Sequence, residues 1–266
     1  MKKIFDLVLF STFSSIILFL ALIPNIGYIT IIPGVASVTI IHIPVLIGIM
    51  FLPFYYSLGL GFVFGLSSFI ASYIYGSTVF DLAFQNPLVS FVPRILFALV
   101  AFFIVKGLLK LKDLKQGIII NFVIVFLSTS IFVGLGSYAI INITGWSSTV
   151  VYLLGFLIIV ALSFSYFSYA NKKDSSVAYI PTTFITSTLL HTLLVLVFVA
   201  IAKVEAYDGG NVLEIILVIL GTNGILEAMV ALLIGTPIVI ALDHLKENRL
   251  WFYYLISEIH LSRWQL

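Results

Sequence analysis

Apolar residues run in long blocks along this chain, broken by short clusters of lysine, proline, asparagine and glycine. A helix rising about 1.5 Å per residue needs about 20 apolar residues to cross the hydrocarbon layer of a bilayer. The blocks predict spans near 4–23, 38–52, 54–74, 87–109, 117–141, 148–170, 177–202 and 212–242. The second is short. The last is long enough to tilt or to begin as a separate outer segment. Eight spans put both termini on one side, and the expected fold is an all-α polytopic membrane helix bundle.

Composition supports lipid as the solvent. Of 266 residues, 62% are hydrophobic and 9% charged, against roughly half apolar and a quarter charged in a soluble domain. The net charge of +2 gives no basis for a nucleic-acid partner. With no cysteine, disulfides, zinc-thiolate sites and cysteine nucleophiles are excluded. Met1-Lys2-Lys3 and the apolar run to Ile23 read as a retained first helix rather than a secretory signal. The run is long for a signal, and Pro24-Asn25-Ile26-Gly27 follows it as a turn.

The positions of the basic residues test the span count. With the N-terminus inside, the cytoplasmic segments hold Lys2, Lys3, Lys106, Lys110, Lys112, Lys115, Lys172, Lys173, Lys246, Arg249 and Arg263, eleven of the thirteen Lys and Arg. Lys203 stays outside, in a loop that also carries Glu205, Asp208 and Glu214, and Arg94 lies within a span. Such an asymmetry would not survive a miscount by one helix, so both termini are expected in the cytoplasm. Residues 1–242 read as one transmembrane domain. The tail 243–266 mixes Trp251, Tyr253, Tyr254 and Trp264 with Lys246, Arg249, Glu258 and Arg263. It is expected to be an amphipathic interfacial helix, either a simple anchor or a partner-binding element.

Small residues mark close contacts. Gly61-x-x-x-Gly65 in the third span fits close helix packing rather than a phosphate cradle. Ser11 and Ser15 stand one turn apart on the first span, where a second helix could approach. That helix is either a neighbour in the bundle or another subunit. No G-x-x-x-x-G-K-[ST] motif occurs, so the chain has no P-loop with which to hydrolyse ATP. Neither H-E-x-x-H nor G-x-S-x-G occurs, and no catalytic residue, metal or cofactor is expected.

An ionisable side chain inside a span is unfavourable unless paired or hydrated, and is a functional candidate for that reason. The candidates are His42, Arg94, His191 and Glu227, with the amides Asn86 and Asn223 and the loop residues Asp81 and Gln85 nearby. Asn86-Pro87 opens the fourth span, since proline suits a first helical turn. Arg94 follows about two turns in, roughly 10 Å below the outer edge, beside Pro93, which frees backbone carbonyls. Ser90 and Arg94 share a face, as do Asn223 and Glu227. Two readings fit: Arg94 and Glu227 form a structural ion pair, or Arg94 clamps an anionic ligand group with its planar fork. For the second, Asn86, Gln85 and Asn223 supply neutral hydrogen bonds. His191 is either a satisfied core histidine or a donor lining a cavity, and His42, before Pro44, fits the core reading better.

Four stretches together resemble the S-components of energy-coupling-factor (ECF) transporters. They are Ala21–Gly27 continuing to Ser37–Pro44; Gly59-Leu60-Gly61-Phe62-Val63-Phe64-Gly65-Leu66-Ser67-Ser68; Phe84-Gln85-Asn86-Pro87-Leu88-Val89-Ser90-Phe91-Val92-Pro93-Arg94; and Thr222-Asn223-Gly224-Ile225-Leu226-Glu227-Ala228 running on to Pro237. The resemblance implies a substrate-specific subunit of an ABC-type importer in a bacterial plasma membrane. Such a subunit captures a vitamin or related micronutrient from outside. It then associates with a membrane coupling subunit and two cytoplasmic ATPase subunits, and topples to release its cargo. The family docks its first helix through A-x-x-x-A, to which Ser11-x-x-x-Ser15 stands closest. Its lids correspond to about 24–37 and 75–86. The segment from Asn86 to Arg94 is most similar to pantothenate-type S-components. Arg94 would then meet the pantothenate carboxylate, and the amides its hydroxyls and amide. Riboflavin, folate, pyridoxine or another compound fit the same framework.

The family usually has six helices, so 113–174 reads as an inserted transmembrane hairpin, and 177–202 with His191 as the usual fifth helix. Other classes of membrane protein would need different features. A non-transporting scaffold of the rod-shape MreD type would need no outward-facing cavity. An intramembrane enzyme would need His42, His191 and Glu227 to converge. A secondary transporter would favour an internal repeat, and the sequence has none.

Overall fold

The computed structural model describes residues 2–24, 26–32, 36–76, 79–112, 114–170, 177–202 and 212–262. Among them α1 (Lys2–Leu22), α3 (Phe54–Tyr75), α5 (Pro87–Leu109), α6 (Gly117–Thr144), α7 (Ser148–Ala170) and α8 (Tyr179–Ala202) are long helices. A last long helix begins as α9 (Val212–Ile219), passes through a π-helical turn at Leu220–Gly224, and continues as α10 (Ile225–Ser262). All seven are long and apolar enough to cross a membrane. The chain is an all-α polytopic bundle of the predicted class. Lys172, Lys173, Lys203, Glu205, Asp208 and Arg263, used above to orient the chain, lie outside the described residues.

The block 38–52 is not a full-length helix. Its helical part, α2 (His42–Phe51), has ten residues, about 15 Å of rise. Before it come β1 (Tyr28–Ile32) and β2 (Ala36–Thr39), an antiparallel hairpin in which Tyr28 pairs with Thr39. The phenol of Tyr75, at the end of α3, donates to the carbonyl of Ala21, near the end of α1. These two helix ends therefore lie side by side, and the chain between them has to return to where α3 begins. It returns as strand followed by helix. Val38-Thr39-Ile40-Ile41 is β-branched at every position, which suits an extended backbone better than a helical one. A strand packed among apolar helices needs its polar groups satisfied within the protein. The β1–β2 ladder does this, together with Ile40 N–H to Gly27 O at 3.0 Å.

The α3–α5 contact bears out the packing role of the glycines. A Cβ on Gly61 would stand 2.7 Å from Ala98 Cβ and 2.8 Å from the Arg94 carbonyl, and one on Gly65 would stand 2.9 Å from Phe91 Cα. The backbones approach too closely there for any side chain. Around this contact Ile17, Leu46, Phe64, Phe97 and Phe184, from α1, α2, α3, α5 and α8, form one buried apolar core.

The hairpin α6–α7 belongs to the bundle rather than hanging from it. Val125, Tyr166, Ile185 and Leu232 bring α6, α7, α8 and α10 into a second core. Gly136 on α6 faces Gly221 in the π turn so closely that a Cβ on either would lie 2.6 Å from the other's Cα. Gly145, at φ 67°, ends α6 in the left-handed conformation that glycine adopts without strain. The outward faces carry apolar residues such as Phe5 and Val8 on α1 and Leu153 and Phe164 on α7, as lipid contact requires. The helix α10 runs on past Asp243 to Ser262 without a break.

Candidate functional site

The loop into α5 is built around Asn86 and Pro87. Asn86 caps the helix, its Oδ1 accepting from Leu88 N–H at 3.0 Å, with Pro87 in the first turn. The Gln85 amide donates to the Ser72 carbonyl at 3.3 Å and ties the loop to the end of α3. The Ser90 hydroxyl donates back to the Phe84 carbonyl. The groups expected to offer neutral hydrogen bonds to a ligand therefore hold the loop together through these contacts, and in doing so they fix Phe84 beside Arg94.

Arg94 is buried, at 4% exposure. Its Nη1 donates to the Val89 carbonyl at 2.7 Å. Its Cζ stands 4.6 Å from the Phe84 ring centroid and 5.5 Å from that of Phe64, in cation–π range of both. Its Nε has no partner. Ser90 and Arg94 share a face as expected, and they meet at Phe84.

Glu227, also buried, is held at both oxygens. Oε1 accepts from the backbone N–H of Thr39 at 2.9 Å, and Oε2 from the Thr192 hydroxyl at 2.8 Å. Among the described residues no hydrogen bond or ion pair joins Arg94 to Glu227, although each lies within the other's electrostatic field. The structural ion pair weighed above does not form. Glu227 instead fastens the base of the β-hairpin to α10 and, through Thr192, to α8. At the hairpin's other strand, the Tyr28 phenol meets the Ser68 hydroxyl at 3.2 Å.

His191 lies in the core of the bundle, its ring 4.9 Å from Phe97 and 5.2 Å from Phe64. His42, at the start of α2, stacks on it at 5.5 Å and 17°. The two histidines converge, and Glu227 approaches them through Thr192, the neighbour of His191, and through Thr39, whose backbone also lies beside His42. No group of three His, Asp or Glu among the described residues is arranged to hold a metal.

Asn223 falls in the π turn, so a four-residue offset no longer guarantees a face shared with Glu227. Its Oδ1 is buried without a partner. A π turn inside a long helix is a recurrent mark of functional sites. Ser11 and Ser15 lie on the exposed side of α1, the Ser15 hydroxyl donating to the Ser11 carbonyl at 2.9 Å. Their small face is not used for packing within this bundle.

Sequence reasoning missed Thr39, Thr192, Tyr28 and Ser68. Thr39 meets Glu227 through its backbone N–H, which no residue type announces, as well as through its side chain. The β-branched run beside it was the available signal for an extended segment. No protein-family model matches this chain, and neither does any curated protein sequence.

Proposed function

We propose that this chain is the solute-capturing subunit of an ECF-type importer in a bacterial plasma membrane. It takes a vitamin-like micronutrient from outside, pantothenate being the first candidate. In this reading the chain crosses the membrane eight times with both termini in the cytoplasm, β2 and α2 together forming the second crossing. The contact between Tyr75 and Ala21 supports that count, as does the distribution of lysine and arginine.

One observation carries the proposal. A guanidinium and a carboxylate sit inside an apolar bundle without pairing with each other. An ionisable group in a membrane core is maintained when it does something. Glu227 fastens the hairpin to α8 and α10, and Arg94 retains an unpartnered donor close to the loop that opens α5. A fixed planar donor between aromatic walls suits a carboxylate.

With no P-loop in the sequence, the energy for uptake comes from partner subunits, a membrane coupling subunit and two cytoplasmic ATPases. The exposed Ser11 and Ser15 face is the docking candidate. The deciding experiment is mass spectrometry of small molecules released on denaturing the detergent-purified chain. A stoichiometric small carboxylate is expected. A chain that carries no solute and binds none when titrated with pantothenate would sink the reading.

A further inference from the structure

The polar side chains of α8 divide into two groups. Thr182, Thr183 and Thr186 donate to carbonyls four residues back, at 3.0, 2.8 and 2.7 Å, the usual resort of a hydroxyl in an apolar helix. Ser187 and Thr188, fully buried on the next turn, have hydroxyls with no partner at all. Neither ring nitrogen of His191, one turn further on, has a partner, and the ring of the stacked His42 has the Thr39 backbone beside it, without a well-formed hydrogen bond. With Arg94 Nε these make seven of the twelve buried polar atoms without partners among the described residues. Phe64 links them, its ring lying against both His191 and Arg94.

An unsatisfied buried polar group is unfavourable by about 1–3 kcal/mol, and native cores hold few of them. Ser187, Thr188 and His191 lie within about one turn of α8, and His42 and Arg94 join them at the rings of His191 and Phe64. Their chemistry selects a ligand class. Arg94 contributes a cationic donor, the two hydroxyls donate or accept, and each neutral imidazole brings one donor and one acceptor. Each oxygen of Glu227 already accepts one hydrogen bond, from Thr39 or from Thr192. The one fixed charge among the unpartnered groups is the guanidinium of Arg94.

We infer that His42 and His191, with Thr188, form a second subsite of the proposed solute site, deeper than the loop into α5. It grips a hydroxyl- or carbonyl-bearing segment of a small carboxylate whose charge lies at Arg94. Phe64 and Phe97 flank the aliphatic part between the two ends. This inference rests on the capture reading and adds to it both the imidazole pair and the two-ended chemistry of the solute.

The test is calorimetric titration of the purified full chain with pantothenate and with pantothenol, its uncharged alcohol analogue. Thermal unfolding of the unliganded protein is measured alongside. His42→Phe and His191→Phe keep ring stacking and remove the nitrogens. Each should weaken pantothenate binding at least tenfold without lowering the unliganded Tm, and His191→Gln should recover part of the loss. Pantothenol should bind the wild type at least tenfold more weakly than pantothenate. Phe variants that bind as tightly as the wild type overturn the subsite and leave the capture reading standing. Weaker binding accompanied by a lower unliganded Tm also overturns the subsite, since the imidazoles would then be packing elements. If the wild type binds no pantothenate but purifies with another small carboxylate, the same variants are read with that compound. A wild type that does neither overturns both proposals.

Discussion

The guanidinium of Arg94 donates to the carbonyl of Val89, the acceptor that Pro93 leaves without a helical N–H. An α-helix joins each N–H to the carbonyl four residues earlier, and proline has none to give. Arg94, the next residue, turns its side chain back and fills that vacancy. The proline thus fixes one arm of the guanidinium and leaves Nε for other use.

Replacing Arg94 by Ala should therefore act twice. Pantothenate affinity should fall at least tenfold, and the Val89 carbonyl, left unpartnered, should lower stability by about 1–3 kcal/mol without unfolding the chain. Calorimetry and thermal unfolding in detergent separate the two effects. Unchanged affinity would remove Arg94 from the site.

Glu227→Ala takes the acceptor from the Thr39 N–H and from the Thr192 hydroxyl. The expected result is faster amide exchange at Thr39 and along β2, with exchange in the middle of α3 unaltered. Hydrogen exchange read by mass spectrometry checks it. Equal acceleration everywhere would mean global destabilisation rather than release of the hairpin.

Ser11→Leu combined with Ser15→Leu puts bulk on a face of α1 that this bundle leaves exposed. Uptake by the assembled importer should be lost while solute binding by the isolated chain is kept. Equal loss of both would place the two serines in internal packing.

Gly61→Val should destabilise the protein by about 1–3 kcal/mol, because its side chain meets Ala98 and the Arg94 carbonyl across the α3–α5 contact. Gly107→Ala is the matched control. Nothing lies within 4 Å of its added carbon, and helix propensity should make it neutral or stabilising by up to about 1 kcal/mol. Loss of stability by both variants to the same extent would refute the close-approach argument.

The long helices were legible because hydrophobic length alone dictates them. Asn86-Pro87 announced the start of α5, and Gly61 and Gly65 announced a tight contact. The second block misled because its residues are apolar whether strand or helix, so hydropathy counts them alike; only the β-branched run at Val38–Ile41 hinted at the difference. The site was half legible. Arg94, Glu227 and His191 stood out as ionisable groups in apolar runs. Their partners did not, because Val89 and Thr39 contribute backbone atoms and His42 matters through its stacking on a residue from a distant helix. Asn86 and Gln85 carry amides able to reach a ligand, and the contacts they make here hold the loop. Side-chain chemistry shows what a residue can bind and leaves open which neighbour it meets first.

The π-helical turn at Leu220–Gly224 is wider than a turn of α-helix. It takes up about one residue more than an ordinary turn, so the helix before it is rotated by about 100° relative to a continuous α-helix. A helical wheel drawn straight through 212–244 would assign the inward face of α9 or of α10 to the wrong positions. A related chain without the extra residue should align with a single-residue gap here, and its counterpart of Asn223 would point elsewhere even if the letters matched.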